Sequence, residues 1–515
     1  MADQMIINAQ SEKGTISRMI YGHFAEHLGR CIYDGIYVGE NSGIENIRGL
    51  RLDIIEALKK IRIPVLRWPG GCFADEYHWK NGIGEKALRP AMVNTHWGGV
   101  TENNHFGTHE FFDLCELLEC EPYICGNVGS GSVQEMAEWV EYMTSDASTP
   151  LSELRKKNGR REPWKLSYFG VGNENWGCGG HMRAEYYADV YCRYALYARN
   201  FGDNHLIRVA AGPRGANEHW TEVLMRDAGM YMDAIGLHYY TRVGDKTTVL
   251  RLPDGNERYL PDPSGNRHSA TEFDEEDWFG IMKAAVFTDE LVRRHSAIMD
   301  RYDPQKRVSL FVDEWGTWYE EEPGTPPGFL YQQNTIRDAV SAAVSLNCFN
   351  NHCDRVRMAN IAQTVNVLQA MLPTEGDRLV RTPTYHVFDL FQVHQDAALL
   401  ESALLCGDYE WNGQKIPGIS ASVSKDAGGR IHITFANVDP GKDADIVCYF
   451  GDVRRLVCAE GTVLCSGRMN DCNTFEEPDR VFPQKYEGIT IDEERLRIRI
   501  PAGSVLLVTV EAELE

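Results

Sequence analysis

Through the first three-quarters of the chain, short apolar and β-branched runs alternate with longer stretches whose apolar residues recur at helical spacing. The runs are Ile20–Glu26, Pro64–Gly70, Pro122–Val128, Leu166–Glu174, Ile207–Pro213, Asp233–Tyr240, Val308–Glu314 and Val356–Gln363. Between them, segments such as Leu52–Lys60, Gly107–Leu118, Ala184–Asn200 and Ile336–Leu346 predict amphipathic helices. Eight strands alternating with helices predict an α/β fold, a parallel (β/α)8 TIM barrel. Past about Gln395 the helical spacing stops. Gly418–Ser424, Arg430–Asn437, Asp445–Phe450, Arg495–Ile500 and Gly503–Val510 alternate as strands, with turns at Ala427-Gly-Gly and Asp439-Pro-Gly. This predicts a C-terminal antiparallel β-sandwich, jelly-roll-like, which an N-terminal strand at Gln4–Asn8 joins. The expected division is 1–16 for that strand, 17–385 for the barrel and 386–515 for the sandwich.

The rhythm breaks between Val243 and Trp278. Leu252-Pro-Asp-Gly, Pro261-Asp-Pro-Ser-Gly and the acidic run Glu272–Asp277 read there as turns and charged surface. An insertion after the sixth strand hangs over the barrel mouth, as a lid, a subsite wall or a plain surface loop.

Composition narrows the function. The chain has 515 residues, 43% hydrophobic and 25% charged, enough for a large core without disulfide staples. Its formal net charge of −23 repels nucleic acid and anionic membranes but leaves a neutral sugar unopposed. The N-terminus lacks the basic start and apolar stretch of a signal peptide, so a cytoplasmic location is expected. The 14 cysteines, with Cys125, Cys406 and Cys448 inside apolar strands, are then expected as reduced, packed thiols. No Cys-x-x-Cys pair suggests a zinc ribbon.

The predicted strands end in Glu26, Arg67, Asn127, Asn173–Glu174, Pro213, His238–Tyr240, Asp313–Glu314 and Gln363. Seven of these eight ends carry polar groups, and the C-terminal rim is where such barrels build their sites. Two ends pair a glutamate with a nearby tryptophan: Gly172-Asn-Glu-Asn-Trp176 and Val312-Asp-Glu-Trp315. Retaining glycoside hydrolysis needs two carboxyl groups about 5 Å apart, one protonated and one ionised. Strand ends four and seven face each other across an eight-stranded barrel, so Glu174 is the candidate acid/base and Glu314 the candidate nucleophile. Trp176 and Trp315 offer apolar surface to a sugar ring. Arg67 and Asp75 follow the second strand, either to hold the nucleophile ionised or as a structural ion pair. His23, His27, His96, His105 and His109 form no compact ligand motif, so a catalytic metal is not expected.

Phe24-Ala-Glu-His-Leu-Gly29, Arg67-Trp-Pro-Gly-Gly71, Gly172-Asn-Glu-Asn-Trp176, Asp313-Glu-Trp315 and Asn360-Ile-Ala-Gln-Thr-Val365 together resemble glycoside hydrolase family 51. Most members of that family are α-L-arabinofuranosidases, and the likeness runs from about Ile7 to Val510. The resemblance implies Glu174 as acid/base, Glu314 as nucleophile, and a pocket for one arabinofuranosyl unit of an oligosaccharide or polysaccharide. Glu26, Asn173 and Gln363 would bond its hydroxyls, Tyr240 would lie beside the nucleophile, and Arg67 would buttress the site. Cys72, Trp97 and His238 complete the expected substrate-binding set. The resemblance also implies no cofactor and a homo-oligomer, often a hexamer. Two positions depart from the family pattern: Cys72, where many members have Asn, and Arg214, where a smaller polar residue is expected. Alternatives are a β-xylosidase or endo-β-glucanase using the same carboxylates, and a carbohydrate-binding protein without turnover, against which both glutamates count.

Overall fold

Strand β1 spans Asp3–Thr15, and the eight apolar runs follow as β2 (Gly22–Phe24), β3 (Val65–Trp68), β4 (Glu121–Gly126), β5 (Tyr168–Val171), β6 (Ile207–Ala210), β7 (Ala234–Thr241), β8 (Ser309–Thr317) and β9 (Val356–Ala362). In this computed structural model, which describes residues 3–244, 248–260, 268–492 and 495–514, β2 to β9 close into a parallel barrel in chain order. The closing pair sets Ile361 of β9 beside His23 of β2. The strands are apolar nearly throughout because helices cover their outer face while side chains fill the barrel.

The helical spacings become α1 (Leu52–Lys60), α2 (Thr108–Leu118), α3 (Val133–Thr144), α4 (Pro150–Lys157), α5 (Ala184–Tyr197), α6 (Glu218–Asp227), α7 (Glu275–Tyr302), α8 (Ile336–Asn351) and α9 (Pro383–Phe391). None among the described residues is long and apolar enough to cross a membrane. Helix α1 shows the rule, turning Ile54, Ile55, Ala57 and Leu58 inward while Lys59 and Lys60 close its C-terminal end. Helix α7 departs from expectation. Its acidic start lies at the surface, as read, but it opens a helix: Asp274 Oδ1 accepts from the N–H groups of Glu276 and Asp277 at 2.9 and 3.2 Å. The carboxylates of the first turn then face the positive end of a 28-residue helix. Upstream, the insertion forms a hairpin of Thr248–Arg251 against Glu257–Leu260; Pro261-Asp-Pro-Ser-Gly lies outside the described residues.

The strands that join β1 in a second sheet are β10 (Ala398–Leu405), β11 (Ile419–Lys425), β12 (Ile431–Asn437), β13 (Ala444–Gly451), β14 (Val453–Leu464), β15 (Gln484–Tyr486), β16 (Ile489–Asp492), β17 (Arg495–Ile500) and β18 (Ser504–Leu514). With β1 they make one ten-stranded sheet in the order β15-β14-β18-β12-β11-β10-β1-β13-β17-β16, wrapped around a second core. All neighbours are antiparallel except β1 and β13, which pair in parallel from Asp3 beside Ile446. Strand β17 shows why this segment folds as sheet: Leu496, Ile498 and Ile500 are buried between exposed Arg495, Arg497 and Arg499. Each such burial contributes about 1.5–3 kcal/mol.

Helix α8 is buried on every side from Ile336 to Asn350. The barrel covers one side and the sheet the other, where Asn347 Oδ1 accepts from Thr434 Oγ1 at 2.7 Å. Trp278 Nε1 ties α7 to the sheet by donating to Val438 O at 2.8 Å. The barrel and the sheet therefore share one continuous apolar interface.

Candidate active site

Glu314 lies within the buried stretch of β8, and Glu174 follows β5 on the opposite side of the barrel mouth. One carboxylate oxygen of each lies within 4.8 Å of the other, with His238 Nδ1 in the same cluster. Retaining hydrolysis uses this spacing. The two environments differ: the side chain of Glu314 is 6% exposed and that of Glu174 is 17% exposed. Glu174 is therefore the more open of the two.

A β-bulge arranges the deeper partner. Gly236 pairs with Phe311 but His238 with Glu314, so β8 carries one residue more than β7 across this step. Both Asp313 and Glu314 consequently reach the site, which strict alternation would forbid. Trp315 then points outward. It packs edge-on to Phe349 at 5.3 Å in the core, so the expectation that it lines the sugar site is corrected.

Arg67 from β3 holds this side together. Its guanidinium donates to Glu314 Oε1 at 2.9 Å and to Asn173 Oδ1 at 2.6 Å, and its Nε stands 3.8 Å from Asp313 Oδ2. Tyr240 OH donates to Glu314 Oε2 at 2.9 Å, and Tyr123 OH to Asp313 Oδ2 at 2.8 Å. Burial pushes Glu314 above the ordinary carboxylate range, and His238 and Arg67 oppose it. Burial acts the same way on Asp313, but His238, Arg67 and Tyr123 overcome it and hold that carboxyl below its usual value.

His238 sits at the centre. Its Nδ1 is 2.8 Å from Glu174 Oε1 and 3.4 Å from Glu314 Oε2, and its Nε2 is 3.4 Å from Asp313 Oδ1. Burial disfavours its charge, yet Glu314, Asp313 and Glu174 outweigh that and raise it to about 10. It bridges the two glutamates, with Asp313 on its far side. The Glu174, His238 and Glu314 atoms are also close enough to one another to ligate a metal.

Glu26 organises the other wall. Its Oε1 accepts from Phe73 N at 3.2 Å and Trp97 Nε1 at 3.0 Å, and its Oε2 accepts from Gln363 Nε2 at 2.7 Å. Burial and then Glu314 raise Glu26 to about 7, against the Phe73 and Trp97 donors. Asp75 is no partner of Arg67 in an ion pair. Its Oδ1 accepts from the backbone N–H of Val128 and Gly129, both at 2.7 Å, and its Oδ2 from that of Asn173 at 2.9 Å, so it splices three barrel loops. Asn127, though at a strand end, turns away and caps its own loop through Ser130 N and Gly131 N. His23 and His109 are packed inside, and burial lowers them to about 3 and about 4.

Comparison with known proteins bears on the chain as a whole. Residues 57–251 match the profile described as Alpha-L-arabinofuranosidase 1 domain, and 313–504 match Alpha-L-arabinofuranosidase C-terminal domain. A relative from Bacteroides ovatus named intracellular exo-alpha-L-arabinofuranosidase is 48% identical over 98% of this chain and 95% of its own. The crystal structure of the GH51 arabinofuranosidase from Xanthomonas axonopodis pv. citri superposes with a TM-score of 0.94 at 44% identity, covering 99% of this chain and all of that one. The chain belongs to glycoside hydrolase family 51. The arabinose complex of the Thermotoga maritima α-L-arabinofuranosidase shares the whole fold at 28% identity, with a TM-score of 0.85 over 99% of this chain and all of that one.

This family-51 chain also corrects one expectation from composition. Cys72 and Cys178 are joined in a disulfide, with Cα atoms 5.5 Å apart, while the other 12 cysteines are free. The bond is local to the site: Cys178 Sγ lies 3.7 Å from Glu174 Oε2. Glu174 itself adopts a left-handed φ of 43°, uncommon for a residue with a side chain, and its carbonyl accepts from Gly177 N and Gly179 N. Beside Glu174 a cavity of about 590 Å3 opens between Trp176, Arg214, Arg242 and Trp318. The hairpin of the insertion adds Arg251 and Glu257, so it walls this cavity. A larger cavity of about 980 Å3 lies between α7, α8 and the sheet and touches neither glutamate.

Proposed function

We propose that this α-L-arabinofuranosidase releases terminal arabinofuranosyl residues by double displacement, with Glu314 as nucleophile and Glu174 as general acid/base. The close approach of the two carboxyl groups from opposite strand ends supports this reading. Glu314 attacks the anomeric carbon while Glu174 protonates the departing oxygen, giving a covalent arabinosyl-enzyme. Glu174, now ionised, removes a proton from water, which attacks the same carbon and restores Glu314. Arg67 and Tyr240 fix the two oxygens of Glu314 before the reaction, so little reorganisation accompanies attack. Glu26, Asn173, Gln363 and Trp97, with Cys72, form the wall that grips the sugar, and the cavity beside Glu174 receives the leaving group. On this reading residues 17–385 are the catalytic body, and 1–16 with 386–515 the supporting sheet. The chemistry needs no metal or organic cofactor.

The name of the Bacteroides relative supports an intracellular place, which favours short arabinose-containing oligosaccharides over whole arabinan or arabinoxylan. The family resemblance supports a homo-oligomer, read as a hexamer. Release of 4-nitrophenol tests the specificity: the α-L-arabinofuranoside is expected to be cleaved far faster than the β-D-xyloside or aryl cellooligosaccharides. A preference for either of the latter would replace arabinose as the substrate.

His238 supplies a pH test. Its charge pulls Glu314 down, so His238→Gln lets the carboxyl rise, and the acidic limb of kcat/KM is expected to move to higher pH. An unmoved limb in the pH–rate profile would remove His238 from the control of Glu314.

A further inference from the structure

We propose that Cys72, Cys178 and Glu174 form a redox-gated cation site: with the disulfide reduced, two thiolates and the Glu174 carboxylate bind a thiophilic divalent ion such as zinc, which blocks the enzyme. One ligand atom from each of the three lies within 4.8 Å of the others, and all three side chains are partly exposed. A reductant and an ion can therefore both reach them.

Cutting the bond leaves the sulfurs near Glu174, because the backbone and not the disulfide alone places them. Cys178 lies between Gly177 and Gly179, whose N–H groups donate to Glu174 O at 2.7 and 3.1 Å. Cys72 precedes Phe73, whose N–H donates to Glu26. A dithiol R(SH)2 attacks one sulfur, the other leaves as a thiol, and the mixed disulfide resolves to cyclic RS2, leaving Cys72-SH and Cys178-SH. Zinc then displaces both thiol protons, and Glu174 completes three protein ligands, with water in the fourth tetrahedral position. His238 holds Glu174 Oε1 at 2.8 Å, while Oε2 faces Cys178 Sγ at 3.7 Å, so one carboxylate oxygen is turned toward the sulfurs. With its oxygen on the metal, Glu174 cannot deliver a proton to the departing oxygen.

A second three-residue grouping, Asp289, Cys348 and His352, is the weaker candidate. The Arg293 guanidinium already occupies Asp289 Oδ2 at 2.9 Å, and His352 Nε2 is paired with its Oδ1 at 2.7 Å. It serves as the control.

The inhibition rests on Glu174 being the acid/base; the metal count does not. The test dialyses oxidised enzyme, and enzyme reduced with dithiothreitol then desalted without air, against micromolar ZnCl2. Zinc per chain and hydrolysis of an arabinofuranoside with a poor leaving group are then measured. The reduced enzyme is expected to retain one more zinc ion per chain and to lose activity about 10²-fold, the loss of general acid assistance, with recovery in EDTA. Reduced Cys178→Ser, read against its own zinc-free rate, is expected to lose both effects, and reduced Cys348→Ser to keep both. Reduced Glu174→Gln is expected to hold the extra zinc more weakly. Equal zinc in oxidised and reduced enzyme, or an extra ion lost in Cys348→Ser and kept in Cys178→Ser, would overturn the proposal. Extra zinc held equally by Glu174→Gln would remove Glu174 from the site. Extra zinc that Glu174→Gln weakens but that leaves activity intact would overturn the block and with it the acid/base reading.

Discussion

Replacing Glu314 with Ala is expected to lower kcat/KM on 4-nitrophenyl α-L-arabinofuranoside by about 10⁵-fold or more, for good and poor leaving groups alike. Without the carboxylate no arabinosyl-enzyme forms, and no neighbour substitutes: Asp313 lies beneath, bonded to Tyr123, and Glu26 is held by Phe73, Trp97 and Gln363. The loss is to be read beside the folded state. Removing Glu314 also removes a partner of Arg67, a buried cation that keeps Asn173 and, at longer range, Asp313. Circular dichroism and a burst experiment with a dinitrophenyl substrate separate a folded, inert variant from an unfolded one. A burst of product from Glu314→Ala would sink the nucleophile assignment.

Glu174→Ala is expected to behave differently. With arabinobiose or an arabinoxylan fragment, whose leaving alkoxide needs a proton, kcat/KM is expected to fall by about 10²–10⁴-fold. With a 2,4-dinitrophenyl leaving group, kcat/KM is expected to stay within about tenfold of wild type, because bond cleavage there needs little protonation. KM falls in that case, since the arabinosyl-enzyme accumulates once no base activates water. Azide, which needs no base, is expected to raise kcat and yield the arabinosyl azide with retained configuration. Equal losses on both kinds of leaving group, with no azide effect, would return Glu174 to a structural role.

The barrel was legible because its signals are local: each strand run is short, apolar and followed by helical spacing. The polar ends of the runs also mark one face of the barrel, so Glu26, Arg67, Asn173, Glu174, His238, Tyr240, Glu314 and Gln363 could be named together. What escaped was non-local. The Cys72–Cys178 bond joins positions 106 residues apart, and no spacing rule links them. Tyr123 sits inside β4 and not at its end, so its bond to Asp313 left no mark in the pattern. The bulge in β8 reversed the expected direction of Trp315, because an extra residue in one strand shows only against its partner. The half-exposed strands β10 and β14 alternate imperfectly, so the pattern does not set their bounds. Asn127 shows the opposite failure: a polar strand end that serves its own loop.

The position of β1 governs how the chain can be made. It is made before every barrel strand, yet it lies in the middle of the ten-stranded sheet, with Gln4 opposite Leu405 on one side and Val447 on the other. At about 5–20 residues per second, a ribosome needs about 20–80 s between making β1 and making its first partner. The barrel strands can pair during that interval, while β1 waits with both edges open. The sheet would then assemble last, around a strand made before the barrel.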